Sequence, residues 1–210
     1  MSPATLIILA KRPQAGRSKT RLGASIGNVR AANLFTLMTR MTLDAAHQAR
    51  ATTPGLSILL AVDPVHAVHQ PCPCWPSTID RVAQGSGDLG ERLRHVMGHA
   101  RSGPILLIGT DAPQVRAHHL RGALTALHHH DAVFGPAVDG GFWLAGIANR
   151  NYDHKLFRDV RWSTSHTLAD VKRSLPNDWS IGEVETLRDI DELSDIDALG
   201  WNIFRRSVAQ

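Results

Sequence analysis

The sequence predicts an α/β protein with a mostly parallel sheet, and three observations carry that prediction. Short apolar runs rich in β-favouring residues alternate along the 210 residues with longer stretches of helical periodicity. The runs are apolar throughout rather than alternating with polar residues, as strands covered on both faces require. Polar clusters rich in Gly, Asp or cations follow several of the runs directly, and open α/β sheets hold their ligands beyond such strand ends.

Residues 5–10 (TLIILA) read as the first strand. The segment 11–21, KRPQAGRSKTR, follows it with five cations, Lys11, Arg12, Arg17, Lys19 and Arg21. Pro13 and Gly16 among them predict a shaped loop rather than a continuing strand or helix. A cationic Gly/Pro loop at the end of a buried strand is where α/β proteins hold phosphates. Over 29–50, Leu34, Leu37, Met38, Met41 and Ala45 recur at helical spacing and predict one long amphipathic helix. Residues 56–62 form a second buried strand ended by Asp63-Pro64, and 91–100 a helix opening just after Gly87-Asp88-Leu89-Gly90. Residues 105–108 are a third strand and 115–129 a further helix. The runs 132–134 and 142–145 are two more strands, separated by Gly135-Pro136 and Asp139-Gly140-Gly141. The last third is less regular: a helix over 165–174, a weak strand near 180–187 and a helix after 191. No repeat, low-complexity tract or linker divides the chain, so 1–210 is expected to be a single domain.

Composition narrows the class. Hydrophobic residues are 43% and charged residues 20%, which describes a globular chain and not a disordered one. No apolar stretch approaches the roughly 20 residues needed to span a bilayer. The cations at the start follow the apolar run instead of preceding it, the wrong order for a secretory signal. A cytoplasmic protein without a membrane partner is expected. The net charge of +4 is concentrated in the first loop, while the segment from Glu183 to Asp197 is acidic. That distribution favours a small anionic ligand over nucleic acid, which wants an extended basic face and stacking aromatics inside it.

Cys72 and Cys74 are the only cysteines. They close the string His66-x-x-His69-x-x-Cys72-x-Cys74, whose side chains are all zinc-ligand types. Four ligands within nine residues stiffened by Pro71 and Pro73 fit an irregular surface loop better than a zinc site. His128-His129-His130 read as an exposed helix end, because three consecutive residues point in different directions on a helix.

Four further clusters bear chemistry. Gly109-Thr110-Asp111-Ala112-Pro113 follows the third strand, and Asp111 there could hold a hard cation such as Mg²⁺ or Mn²⁺ or cap the next helix. Asp139-Gly140-Gly141 could let a ligand approach the backbone or simply close a hairpin. Asp189-Ile190-Asp191 places two carboxylates on one face if extended, or forms a solvated acidic run before a helix. Gln84-Gly85-Ser86-Gly87-Asp88 is either a base-binding loop or a capped turn. Lys19-Thr20 lacks the glycines of a P-loop, and G-x-G-x-x-G is absent from the first loop, which argues against a dinucleotide site there.

In their order and spacing, LIILAKRPQAGRSKTRLG, QGSGDLGERL, LLIGTDAP, GPAVDGGFWLAGI, RWST and LRDIDELSDI resemble a bacterial family of glycosyltransferase-A-type proteins. That family lies within the nucleotide-diphospho-sugar transferase superfamily and carries no assigned reaction. More distantly, the chain is similar to 2-phospholactate and molybdenum-cofactor guanylyltransferases. The resemblance covers residues 4–200 and implies a Rossmann-like sandwich with a mixed, mostly parallel sheet of about seven strands. It implies a nucleotide site from Ala10, Lys11, Gly16, Arg17, Lys19 and Arg21, with Gln84, Gly85 and Asp88 near the base and Thr110 beside Asp111. Asp111 becomes the leading ligand for Mg²⁺ or Mn²⁺, with Asp189 or Asp191 as the second carboxylate. Gly140, Gly141, Trp162, Ser163 and Thr164 fall on the acceptor side. Asp139 is the expected base, with His166 behind it, and Lys19 and Arg21 would stabilise the leaving group. A full Asp-x-Asp is missing, because Gly109 stands two residues before Asp111. The implied activity is metal-dependent transfer of a glycosyl group from a nucleotide-sugar donor to a small acceptor. The alternative joins an NTP to a phosphorylated small molecule with release of pyrophosphate.

Overall fold

Strand β1 (Ala4–Lys11) shows why the sheet needs cover on both faces. Its alternate residues Leu6, Ile8 and Ala10 enter one hydrophobic core, while Ile7 enters the other. Each Leu or Ile side chain among them contributes about 1.5–3 kcal/mol when taken out of water. The computed structural model describes residues 3–148 and 156–201. The other strands are β2 (Leu56–Asp63), β3 (Asp80–Ala83), β4 (Ile105–Ile108), β5 (Ala132–Pro136), β6 (Phe142–Ile147) and β7 (Ile181–Glu183). They form one sheet in the order β3-β2-β1-β4-β6-β5-β7. β1 runs parallel to β2 and β4, β2 to β3, and β5 to β7; β6 is antiparallel to both β4 and β5. The sheet is therefore mixed and mostly parallel, as expected.

The helices are α1 (Thr20–Ile26), α2 (Asn28–Ala51), α3 (Leu89–Met97), α4 (Ala117–Ala126), α5 (Thr167–Arg173) and α6 (Leu193–Ala198). α2 and α4 cover one face through Leu43, Ala46, Leu120 and Leu124. α3 and α5 cover the other through Leu93, Val96, Met97 and Val171, against Phe134 and Ile7. A third, smaller core joins Leu22 of α1 to Ala31, Leu34 and Met38 of α2, and to Ile190 and Ile196. Among the described residues, no helix is long and apolar enough to cross a membrane.

Several sequence expectations change. Leu37 is exposed and Met41 only half-buried, so the inner stripe of α2 runs instead through Leu34, Met38 and its small residues. β3 and α1 were not foreseen: β3 is an edge strand without an apolar run, and α1 is short and held by its packing. The segment around Cys72 is an irregular surface loop that tucks some of its side chains inward. Cys72, Cys74 and Trp75 pack into the core, whereas His66 and His69 are exposed, so the four zinc-type side chains point to different environments. α4 stops at Ala126, and His128 to His130 form the turn after it, with the His130 ring against Gly182.

The neighbours of β1 decide where a ligand can enter. The chain moves from β1 to β2 on one side and later places β4 on the other. This is a topological switch point, and the loops leaving β1 and β4 part above it to open a crevice.

Candidate functional site

The loop after β1 is closed on itself. The Ser18 hydroxyl donates to the Arg12 carbonyl (3.2 Å) and accepts from the Gln14 N–H (3.0 Å), while the Gln14 carbonyl takes the Arg17 and Ser18 N–H groups. Gly16 turns the chain at φ 76°, and Lys19 holds a left-handed conformation at φ 51° just before α1. Arg12 turns away and donates to the side chain of Gln70 and the carbonyl of Pro71. Lys11, Arg17, Lys19 and Arg21 line a cleft of about 850 Å³ at the switch point.

The carboxylates come from three other places. Asp111 follows β4, Asp139 lies in the β5–β6 turn, and Asp189 and Asp191 precede α6; all four line the same cleft. Asp111 is not a helix cap, since α4 begins at Ala117 with Arg116 as its N-cap. Asp139 closes the hairpin, its Oδ1 accepting the Gly141 N–H at 2.8 Å, and it also faces the cleft. In the stretch before α6, Ile190 packs into the third core while Asp189 and Asp191 reach the cleft. Lys19 Nζ lies 2.5 Å from Asp111 Oδ1 and 2.6 Å from Asp191 Oδ1. Burial opposes its charge, but the Asp111 and Asp191 carboxylates outweigh that and lift its pKa above the ordinary lysine value. Burial, followed by the Asp139 and Asp111 charges, pushes Asp189 up to about 7. Asp189 Oδ1 is buried and has no hydrogen-bond donor among the described residues.

Thr110, Gly141, Trp162, Ser163 and Thr164 line the cleft too, but Ala10, Gly16, Gly85, Asp88, Gly140 and His166 do not. Ala10 is sealed in the core. Asp88 is spent on a capping box with Glu91 at the start of α3. Gly85 packs against His95, and Gly140 against the Ser165 backbone. Gln84 does border the cleft, yet its amide donates to Ala61 and Ala10 carbonyls and its Oε1 accepts from Arg92 (3.1 Å). It fastens strand ends and aims Arg92; it has little left with which to read a base. Arg92 itself, not singled out from the sequence, borders the cleft with a buried Nε that has no partner among the described residues. Its spacing of three from Leu89 on one helix face was the available signal.

A family profile described as "Uncharacterized protein conserved in bacteria (DUF2064)" matches residues 42–164, more than half of the chain. The chain belongs to the DUF2064 family. A comparison with curated proteins found no match. Among solved structures, a candidate nucleotide-diphospho-sugar transferase from Desulfovibrio desulfuricans is 24% identical with a TM-score of 0.76, the match covering 99% of this chain and 90% of that one. The Mycobacterium tuberculosis protein Rv0371c, in complex with manganese, is 17% identical with a TM-score of 0.55 over 94% and 97% of the two chains. The 4-diphosphocytidyl-2C-methyl-D-erythritol synthase of Anaerococcus prevotii is 12% identical with a TM-score of 0.58 over 94% and 96%. These likenesses establish the nucleotide-diphospho-sugar transferase fold for this DUF2064 chain.

In this DUF2064 member the acidic wall is clamped from several elements. His119 Nδ1 accepts the Arg116 N–H (2.9 Å), so in the neutral ring Nε2 carries the proton and donates to Glu185 Oε2 (3.1 Å). Burial, then neighbouring His118, keeps His119 below the usual histidine pKa. Trp143 Nε1 donates to the Glu185 carbonyl, Gln114 Oε1 accepts the Arg188 N–H, and the Asp111 carbonyl accepts the Ile190 N–H. Donor atoms of His118, His119 and Glu185 gather within 4.8 Å, but the tautomer of His119 commits that group to the clamp rather than to a metal. His119→Ala is expected to cost about 1–2 kcal/mol and to speed amide exchange at residues 185–191 while leaving β1 protected.

The side of the cleft lined by Trp162, Ser163 and Thr164 is held by Asp170. Its carboxylate receives Arg161 Nε (2.7 Å) and NH2 (2.9 Å), the Arg161 N–H (3.1 Å) and Arg173. Arg161 above all depresses the Asp170 pKa below the ordinary carboxylate range. This anchors a loop in which Phe157, Asp159 and Ser163 all have positive φ, conformations that persist only when surroundings over-determine them. A depressed pKa means the stabilisation is complete above about pH 4 and fades only as acid passes below that range. Denaturant midpoints of the wild type and Asp170→Asn should therefore differ at pH 7 and converge in strong acid.

Proposed function

We propose that this protein is a divalent-metal-dependent transferase that takes a nucleoside-diphosphate sugar and passes the glycosyl group to a small hydroxyl-bearing acceptor. The observation that carries this reading is the division of charge within one cleft: Lys11, Arg17 and Arg21 from the first loop stand against Asp111, Asp139, Asp189 and Asp191. Such a pairing suits a polyphosphate and a hard cation together, and neither alone. The four carboxylates offer oxygen ligands of the kind Mg²⁺ and Mn²⁺ prefer, and the buried Asp189 Oδ1 lacks a donor among the described residues. Asp111, with Asp189 and Asp191, would hold the ion, and the manganese complex of Rv0371c supports that choice. Bound there, the cation would neutralise charge building on the leaving diphosphate.

The chain's own groups supply the rest. Lys11, Arg17 and Arg21 have no ion-pair partner among the described residues and bind the phosphate oxygens. Asp139, oriented by the Gly141 N–H, accepts the acceptor's hydroxyl proton as its oxygen bonds to the anomeric carbon. The bond from that carbon to the diphosphate breaks, and its electron pair leaves on the nucleotide. Trp162 offers an apolar ring to the acceptor, and Ser163 and Thr164 offer hydroxyls. A second reading, nucleotidyl transfer from an NTP with loss of pyrophosphate, is favoured by Gly109 at the position where a full Asp-x-Asp would carry an acid.

A thermal-shift panel of nucleoside diphosphates, their sugars and NTPs, with and without Mn²⁺, tests the site. A ligand at 100 times its dissociation constant adds about 2.7 kcal/mol. Metal-dependent stabilisation by one base is expected. Release of a diphosphate or of pyrophosphate then separates the two reactions, and no shift with any nucleotide would sink both.

A further inference from the structure

We propose that Lys19 makes this site select a metal–polyphosphate pair over a free divalent cation. Its ammonium holds the carboxylates a metal would take, and a polyphosphate draws it off them. The inference rests on the metal-dependent reading above and adds an order of binding to it.

The geometry is specific. One ammonium bridges Asp111 and Asp191, two carboxylates from well-separated parts of the sequence, at 2.5 and 2.6 Å. The Lys19 side chain is only 7% exposed, whereas Asp111 and Asp191 are about half exposed, 47% and 52%. Lys19 thus sits beneath the acids, and the acids open toward the cleft. Its left-handed backbone, just after the turn closed by Ser18 and Gln14, brings the side chain inward. An ammonium and a divalent cation sharing the same oxygens repel each other at this range, so each weakens the other's hold.

A phosphate changes the balance. Lys carries its point charge on a flexible four-carbon stem, and Lys11, Arg17 and Arg21 mark the phosphate end of the same cleft. Phosphate oxygens offer Lys19 a new partner and also add ligands for the metal. Metal and polyphosphate should therefore bind with positive coupling, each raising the other's affinity by the same factor.

Mn²⁺ binding, read from the electron paramagnetic resonance signal of the free ion, tests this without any turnover. The wild type, Lys19→Met, Asp111→Asn and the double variant are titrated with Mn²⁺ alone, each first shown to be folded by circular dichroism. Lys19→Met is expected to bind Mn²⁺ at least tenfold more tightly than the wild type, and the double variant to lose that gain. In the wild type, inorganic pyrophosphate should tighten Mn²⁺ binding beyond what its own chelation accounts for; in Lys19→Met it should do so less. If the wild type binds Mn²⁺ through Asp111 and Lys19→Met binds no better, the Lys19 proposal is overturned while the metal reading stands. If no variant binds, or binding ignores Asp111→Asn, the metal reading itself fails and the proposal falls with it. Should Lys19→Met not fold, Lys19→Gln keeps a polar group at the position, and the same outcomes apply.

Discussion

Asp111→Ala is expected to abolish metal-dependent nucleotide binding and to lower turnover by roughly 10²–10³-fold. Asp111 is the carboxylate that the fold places at the carboxyl end of β4, directly across the switch point from the cationic loop. No helix needs it as a cap, and its side chain is half open to the cleft. Its loss should thus spare the fold. It should even relieve Asp189, which carries the repulsion of Asp111 as well as of Asp139. The check is calorimetric titration with a nucleotide in the presence and absence of Mn²⁺, beside a thermal melt. A variant that still binds nucleotide in a metal-dependent way would remove Asp111 from the metal site.

Gly140→Ala carries the second large effect, through the backbone. Gly140 has φ +88°, and an added Cβ would lie 2.3 Å from the Ser165 carbonyl oxygen and 2.6 Å from its Cα. The conformation alone costs a β-carbon residue about 1–2 kcal/mol. The clash is with backbone, which cannot rotate aside, and overpacking of this kind adds about 1–3 kcal/mol. A fall in melting temperature on the order of 10 °C follows. Because the turn also carries Asp139 and faces the Trp162 loop, activity should drop more than the stability loss explains. Gly122→Ala in α4 is the matched control: nothing lies within 4 Å of its Cβ position, and a gain of about 1 kcal/mol is expected. Equal melting temperatures for the two variants would contradict the close approach of the turn to Ser165.

Much of the site was legible one cluster at a time. Lys11, Arg17, Lys19 and Arg21 announce themselves by charge density after an apolar strand, and Asp111 by following another strand. Context removes one of the alternatives at Asp111, because the helix it would have capped begins six residues later, and it places the acidic pair on either side of a buried Ile190. Gln84 illustrates the converse. A polar residue beside glycines reads as a ligand contact, yet its hydrogen bonds are consumed by two strand carbonyls and Arg92. Asp88 likewise went to a capping box. The partners of Gln84 lie 8 to 74 residues away in the chain, beyond any local pattern, whereas Glu91 is only three residues from Asp88.

The sequence by itself determined the α/β class, the order of most strands and helices, and the cationic and acidic segments, because periodicity and local charge are properties of neighbours in the chain. Only the tertiary structure decided that Lys19 sits between Asp111 and Asp191, that Asp189 is buried among like charges, and that the His119 ring clamps the acidic wall. Those features arise from a fold that juxtaposes residues up to 172 positions apart. Electrostatics at 3 Å depends on that closeness in space, which separation along the chain does not record.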